Sequence, residues 1–290
     1  MKTGFVGIFG RPNAGKSTLL NSLMGEKLAI ISPKVQTTRH RIRAFLNGEG
    51  YQIILSDTPG IIRPEYKLHE KMMKAVKSSL EDTDLALLIT DVREDAMLSH
   101  DIFTALKLKV PAIVLVNKCD RVSEDEVKKK VEFFRSQSYS LDVLAISAFK
   151  QQDWKPLLDI IIQHLPEGEA FFPDDEMTDM PTRFFVGEMI REKMYSMFED
   201  EIPYQTTVIV TDFKEKESLI KITAEIVVQR ESQKAIILGE KGKTIKKLGT
   251  DSRMNIEAFL GSKVFLELFV KVRPKWRDNE LHLREYGYGN

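Results

Sequence analysis

The sequence predicts two fold classes in succession: a mostly parallel, doubly wound α/β sheet, then a smaller α+β domain of order α-β-β-α-α-β. Three observations predict this. Up to residue 166 short apolar runs alternate with amphipathic ones, as buried strands alternate with covering helices. An acidic stretch with three prolines, residues 166–181, then breaks the pattern. Beyond it the order of elements changes. A length of 290 residues leaves room for both domains.

Each element follows from its pattern. The apolar runs 4–10, 52–56, 85–92, 112–117 and 143–147 read as buried strands. Helical spacing of apolar residues covers 16–24, 68–80, 100–108, 124–136 and 156–164. Residues 41–46 and 51–56 flank the turn Asn47-Gly48-Glu49-Gly50, which predicts an antiparallel hairpin at one sheet edge. In the second part, helices are expected over 183–198, 233–238 and 244–259, and strands over 207–213, 219–229 and 264–272. The expected division is 1–172, a linker at 173–182, and 183–290. Phe171 and Phe172 suggest that part of the linking stretch docks.

Other classes are excluded quickly. The single cysteine, Cys119, allows no internal disulfide and no cysteine-based metal cluster, and fits a reducing compartment. The N-terminus has no signal-peptide pattern, and no run of 18 apolar residues exists to span a membrane.

Gly10-Arg11-Pro12-Asn13-Ala14-Gly15-Lys16-Ser17-Thr18 follows the first strand and opens the first helix. In that context the glycines let backbone N–H groups curl around phosphates, and the helix N-terminus favours anions. Lys16 is expected to reach the β- and γ-phosphates and Ser17 to ligate Mg²⁺. Asn117-Lys118-Cys119-Asp120 ends an apolar strand, where open α/β sheets place ligands. A carboxylate there can accept two hydrogen bonds from guanine, whereas adenine would leave it unpaired. Asn117 can tie this loop to the phosphate loop, the Lys118 stem can lie over the base, and Ser147-Ala148 can offer backbone N–H groups to guanine O6.

Asp57-Thr58-Pro59-Gly60 ends the hairpin's second strand. Its aspartate suits an outer-sphere Mg²⁺ role, and Gly60 lets its N–H approach a γ-phosphate. A threonine in Gln36-Thr37-Thr38-Arg39 could sense the γ-phosphate through Mg²⁺; Thr38 is favoured over Thr37. Lys16, Thr38, Gly60 and Asn13 are the candidate catalytic residues.

In the second part, Gly239-Glu240-Lys241-Gly242 lies between two helices, with Lys234, Lys243, Lys246 and Lys247 nearby. Two glycines permit close approach to a nucleic-acid backbone, and Ala235, Ile236 and Leu238 offer an apolar floor for bases. Arg273 and Trp276 are candidate phosphate and base contacts, with the terminal tyrosines as further stacking surfaces. The alternative is a tail packed on its own sheet.

In order, these motifs resemble the translation-factor-like P-loop GTPases, and the Gly-x-x-Gly segment resembles the KH domain of RNA-binding proteins. The pairing, across essentially the whole chain, resembles the Era family of bacterial GTPases. The resemblance implies slow GTP hydrolysis with Mg²⁺, binding near the 3′ end of small-subunit (16S) ribosomal RNA, and a role in assembly of the small ribosomal subunit. It also implies a cytoplasmic protein, sometimes in peripheral association with the membrane; a monomer is expected. One departure from Ras-like members is Ile61, which cannot orient a water as glutamine does. In related GTPases with an apolar residue there, a K⁺ ion held by an asparagine matching Asn13 helps. Alternatives are a GTPase partner of an RNA-modifying system, and a passive RNA-binding module.

Charge distribution agrees with the second site. Lys+Arg and Asp+Glu both number 43, a formal net charge of zero. Residues 173–229 hold 6 basic and 13 acidic side chains; residues 230–277 hold 12 and 5. The neutral total hides a basic stretch of the kind a nucleic-acid footprint needs.

Overall fold

The structure, a computed structural model, describes residues 1–288; Gly289 and Asn290, the end of the expected tail, lie outside the described residues. The chain divides into two compact units. One comprises Met1–Pro64 and Met72–Asp179; the other comprises Glu65–Lys71 and Met180–Asn290.

The first unit is built on β1 (Lys2–Phe9), α1 (Lys16–Met24), β2 (Ile42–Gly48), β3 (Tyr51–Asp57), α2 (Lys67–Asp82, whose first turn counts with the second unit), β4 (Leu85–Asp91), α3 (Ala96–Ala105), β5 (Ala112–Asn117), α4 (Glu124–Arg135), β6 (Ser140–Ala145) and α5 (Lys155–His164). The sheet order is β2-β3-β1-β4-β5-β6. Every neighbouring pair is parallel except β2 with β3, the expected hairpin. The strand order turns back at β1, so the loops after the parallel strands open at one edge of the sheet. That edge is where α/β sheets bind ligands. Phe9, Leu88, Val114, Val116, Phe103 and Phe134 form a core under α3 and α4.

One local difference has a physical cause. Helix α3 begins at Ala96 rather than residue 100, because the Asp95 side chain accepts from the Met97 N–H and caps it. Its first residues include Met97 and Leu98, both exposed, so apolar periodicity does not reveal that start.

The stretch expected to link the domains is largely packed on the hairpin. Phe172 stacks on Phe45 with centroids 3.8 Å apart. Gln52 accepts from the N–H groups of Phe171 (2.7 Å) and Phe172 (3.1 Å) and donates to the Phe172 carbonyl (2.8 Å). The Phe45 N–H donates to the Met177 carbonyl, and Thr178 bridges Ala44 in antiparallel fashion. Residues 171–179 thereby cover the outer edge of β2, which would otherwise expose unpaired backbone groups.

The second unit contains α6 (Thr182–Met197), α7 (Ile202–Gln205), β7 (Thr207–Lys216), β8 (Leu219–Val228), α8 (Glu231–Leu238), α9 (Lys243–Leu260), β9 (Val264–Val272) and α10 (Glu280–Glu285). Its sheet order is β7-β8-β9; β7 and β8 pair antiparallel, β8 and β9 parallel. The long elements keep the expected α-β-β-α-α-β order. Two cores from α6, α8 and α9 bury one face of the sheet, around Ile190, Ile222 and Ile256 and around Met194, Ile226 and Leu248.

The tail is a correction. Trp276 is a candidate base-stacking residue by sequence, yet its side chain is fully buried. Its indole donates to the Gln205 carbonyl (2.9 Å), and its ring packs near Tyr286 and Tyr288, themselves buried. The Tyr288 hydroxyl lies 3.1 Å from that of Thr207. The cause is α10, capped by Asn279, which folds the tail back so that its aromatics fill a core. Tyr66, Lys67 and Lys71 belong to the same unit: the Arg277 guanidinium lies 4.0 Å from the Tyr66 ring centroid, and Lys71 pairs with Glu280.

Candidate functional site

The loop between β1 and α1 needs its glycines for space and for backbone angle. A Cβ at Gly10 would collide with the Ile89 carbonyl, and one at Gly15, where φ is +108°, with the Asn117 side chain. Gly60 has Pro12 2.7 Å from where its Cβ would stand. The loop can therefore curl tightly against β4, β5 and the turn after β3. The Ile61 N–H donates to the Gly10 carbonyl (3.1 Å), which binds that turn to the phosphate loop.

Lys16 is buried, and its ammonium donates to the carbonyls of Gly10 (3.2 Å) and Arg11 (2.8 Å). Burial lowers its pKa to about 8, against the opposing pull of Asp57 and Glu94. A phosphate in the loop would supply the counter-charge this ammonium lacks.

Ser17, Thr38 and Asp57 converge from α1, the loop before β2 and the end of β3. The Ser17 hydroxyl donates to Asp57 Oδ2 at 2.6 Å, and Thr38 Oγ1 lies 2.7 Å from Ser17 Oγ and 3.2 Å from the same carboxylate oxygen. Thr37 turns elsewhere, donating to the Lys34 carbonyl. Burial raises the pKa of Asp57, opposed by Lys16, Ser17 and Thr38, and its Oδ1 is buried with no hydrogen-bond partner. Converging hard oxygen donors with one carboxylate oxygen to spare fit Mg²⁺. No group of three or more His, Cys, Asp or Glu suited to a metal occurs among the described residues.

The base-side residues form a second network. Asn117 Nδ2 donates to the Ala14 carbonyl (2.8 Å), and its Oδ1 accepts from the Ala148 N–H (2.9 Å). One amide thus joins three loops. Ser147 donates to Asp120 (2.7 Å), which keeps that carboxylate's pKa below its ordinary value. The Lys118 ammonium donates to the Asn13 carbonyl (2.6 Å) and pairs with Asp91 (2.9 Å). Asn13 has φ +63° and donates its side-chain amide to the Pro33 carbonyl (2.7 Å).

Asn13, Lys16, Ser17, Asn117, Lys118, Asp120, Ser147 and Ala148 border a cavity of about 660 Å³, with Pro12, Thr18, Gly60 and Thr38 also in its wall; Asp57 lies buried behind Ser17 and Thr38. Ala14, Thr58 and Pro59 are buried instead, and Thr58 spends its hydroxyl on the Ile8 carbonyl. Their part is to shape the loops; the Thr58 side chain is buried with its one donor committed to Ile8. Sequence reasoning misses Asp91, Ile30, Ile31 and Phe149 of the lining. Asp91 carries a signal: a charged residue at the C-terminal end of an apolar strand, in register with Asn117.

In the second unit, Gly239 (φ +68°) and Gly242 (φ +77°) frame Glu240 and Lys241. A Cβ at Gly239 would collide with Thr244. Gly242 opens α9 with no side-chain cap; its own N–H donates to the Gly239 carbonyl (3.2 Å) and that of Lys243 to the Glu240 carbonyl, so a tight turn closes the start of the helix. Lys241, Lys243, Lys246 and Lys247 surround it on the surface, fully or partly exposed, and Lys234 is half-buried on α8. Beside this turn lies a depression of about 320 Å³ lined by Ile245, Lys246, Gly249 and Arg253 of α9 and by Leu266 and Leu268 of β9. Ala235 and Ile236 are exposed on α8 and Leu238 is half-buried; the depression itself is lined from α9 and β9 instead. Arg273 is half-buried, and its side chain bonds Tyr286.

Comparison with known proteins agrees with both folds. Residues 5–118 match the family described as 50S ribosome-binding GTPase, and residues 201–277 match the KH domain. The GTPase Era of Clostridium beijerinckii is 41% identical over 290 residues, covering 99% of this chain and 97% of that protein. That of a Geobacter species is 42% identical over 292 residues, covering 99% and 98%. A crystal structure of Era in complex with MgGDPNP and nucleotides 1506–1542 of 16S ribosomal RNA superposes with a TM-score of 0.96 at 38% identity, covering all of both chains. A point variant of Aquifex aeolicus Era bound to GDP·AlF4⁻ superposes with a TM-score of 0.95 at 38% identity, again covering all of both chains. A GTPase fold and a KH fold in one chain, matched over its whole length at such identity, place it in a family: the chain belongs to the Era family of GTPases.

Proposed function

We propose that the protein is a GTP-binding and GTP-hydrolysing switch that binds the 3′ end of 16S ribosomal RNA through its KH unit and acts in maturation of the small ribosomal subunit. The observation that carries the nucleotide half is Asn117, whose one amide ties the phosphate loop to both base-recognition loops. The RNA half rests on the basic Gly-x-x-Gly turn beside its apolar depression and on the relative crystallised with 16S RNA and MgGDPNP.

In this reading Asp120 accepts from guanine and Ala148 offers its N–H to O6. Lys16 leaves the Gly10 and Arg11 carbonyls for the β- and γ-phosphates. Ser17, Thr38 and Asp57 would hold Mg²⁺, which would neutralise charge on the phosphate oxygens. Thr38 is retained near Ser17 while the γ-phosphate is present and released after hydrolysis. Ile61 offers no hydrogen bond to the attacking water, so turnover is slow without a stimulus. Asn13 would help hold K⁺, as in related GTPases with an apolar residue at the position of Ile61; replacing K⁺ by Na⁺ with no change in turnover would remove that role.

The protein acts in the cytoplasm as a monomer, with surface contact to the membrane as a further part of this reading. What supports the membrane part is family resemblance, and no helix among the described residues is long and apolar enough to cross a bilayer. The experiment that tests the whole is turnover of GTP against ATP, with Mg²⁺ and with chelator, alongside crosslinking of the GTP-bound protein to cellular RNA. GTP-selective, Mg²⁺-dependent turnover and crosslinks at the 16S 3′ end are expected. Crosslinks elsewhere would overturn the RNA assignment.

A further inference from the structure

We propose that Asp91 is a positioning residue for nucleotide binding, acting by tethering Lys118 along the wall of the base site. Asp91 belongs to none of the nucleotide motifs. It ends β4, its side chain is 6% exposed, and it stands in register with Asn117 on β5. Its carboxylate receives Arg93 from one side (Nε at 3.0 Å, an Nη at 2.6 Å) and the Lys118 ammonium from the other at 2.9 Å. Burial alone would raise its pKa. The hydrogen bonds from Arg93 and Lys118 more than offset this and hold it below the ordinary carboxylate range, so Asp91 keeps its charge.

The consequence falls on Lys118. Its backbone is left-handed, φ +63°, which sets where the side chain leaves the strand end. Its ammonium is then fixed at two points, Asp91 and the Asn13 carbonyl. A lysine stem tied at its far end has one path along the cavity wall; an untied stem samples many rotamers, and a ligand must order it. The same short segment reaches the phosphate loop again through Glu94, 3.6 Å from Arg11. Residues 91–94 thus brace the loop that carries the phosphates and the lysine that flanks the base.

The inference rests on the guanine-nucleotide reading, and the test separates the two. Dissociation constants for GDP and GTP are measured with the full chain, Asp91→Asn, Lys118→Met and the double variant. Methionine keeps an apolar stem and removes the tethered ammonium. Each single variant is expected to bind both nucleotides about tenfold more weakly. The double variant is expected to be no weaker than Lys118→Met, since that variant already removes the Asp91 tether. Losses that multiply in the double variant, or wild-type affinity in either single one, would overturn the tether. If Asp91→Asn does not fold, Lys118→Met alone decides: unchanged affinity there overturns it. A wild-type protein that binds neither nucleotide would instead defeat the guanine reading.

Discussion

The hydroxyls of Thr38 and Ser17 stand 2.7 Å apart and share one oxygen of Asp57. At that distance the two hydroxyls hydrogen-bond to each other, and with the carboxylate they form one cluster of oxygens that would hold Mg²⁺. Thr37, adjacent in sequence, is committed to the Lys34 carbonyl. Thr38→Ala should lower GTP turnover about 100-fold while leaving GDP affinity nearly unchanged. Thr37→Ala should change turnover less than about threefold. Single-turnover hydrolysis with both variants checks this; equal effects would remove the distinction.

Lys16 makes nucleotide affinity depend on pH in a defined direction. Its pKa in the ligand-free fold is about 8, below the ordinary lysine value of 10.5, because burial disfavours the charged form. Phosphate binding favours the ammonium and raises that pKa. Affinity should therefore be flat with respect to this group below pH 8 and fall by up to about tenfold per pH unit above it, until the bound-state pKa is reached. The folding linkage has the opposite slope. Between pH 8 and 10.5 the unfolded chain binds more protons, so this group makes the ligand-free protein more stable as pH rises. Calorimetry at about pH 8.5 in two buffers of different ionisation enthalpy should register proton uptake on GDP binding.

Burial of Trp276 gives a spectroscopic prediction. The other tryptophan, Trp154, is 7% exposed and donates to Ser22. With both indoles inside, saturating RNA should leave tryptophan emission nearly unchanged. Trp276→Ala should destabilise the second unit by about 3–5 kcal/mol through loss of packing and a cavity. Quenching on RNA addition in the wild type, absent from a folded Trp276→Phe variant, would show that the indole reaches RNA.

Most of the nucleotide site is legible in the sequence because its motifs are local. Gly10, Gly15 and Gly60 are needed for backbone geometry, and a short run then carries the polar groups with it. Long-range contacts are less legible. Asp91 and Lys118 meet only because β4 and β5 pair in register, and nothing near either residue marks the other. The tail misleads for a related reason. An aromatic-basic run suits both RNA stacking and core packing, and the choice is made by α10 and the Asn279 cap, a six-residue element with little periodicity. Likewise α8 starts at Glu231 rather than residue 233, because the Gln233 side chain accepts from the N–H groups of Gln229 and Arg230. That polar cap leaves no hydrophobic pattern to read.

The basic turn of the second unit predicts a salt dependence. Lys241, Lys243 and Lys246 lie at the surface around the Gly239–Gly242 turn. Each phosphate neutralised on single-stranded RNA contributes about 0.7 to the slope of log affinity against log salt concentration. Replacing all three lysines by alanine should reduce that slope by about 2 if each contacts one phosphate. Nucleotide turnover without RNA should be unaffected, since none of the three borders the nucleotide cavity. Titrations of a 16S 3′-terminal fragment at several salt concentrations separate this from a loss of base contacts. Losing base contacts at Ile245, Leu266 and Leu268 would weaken affinity equally at every salt concentration and leave the slope in place.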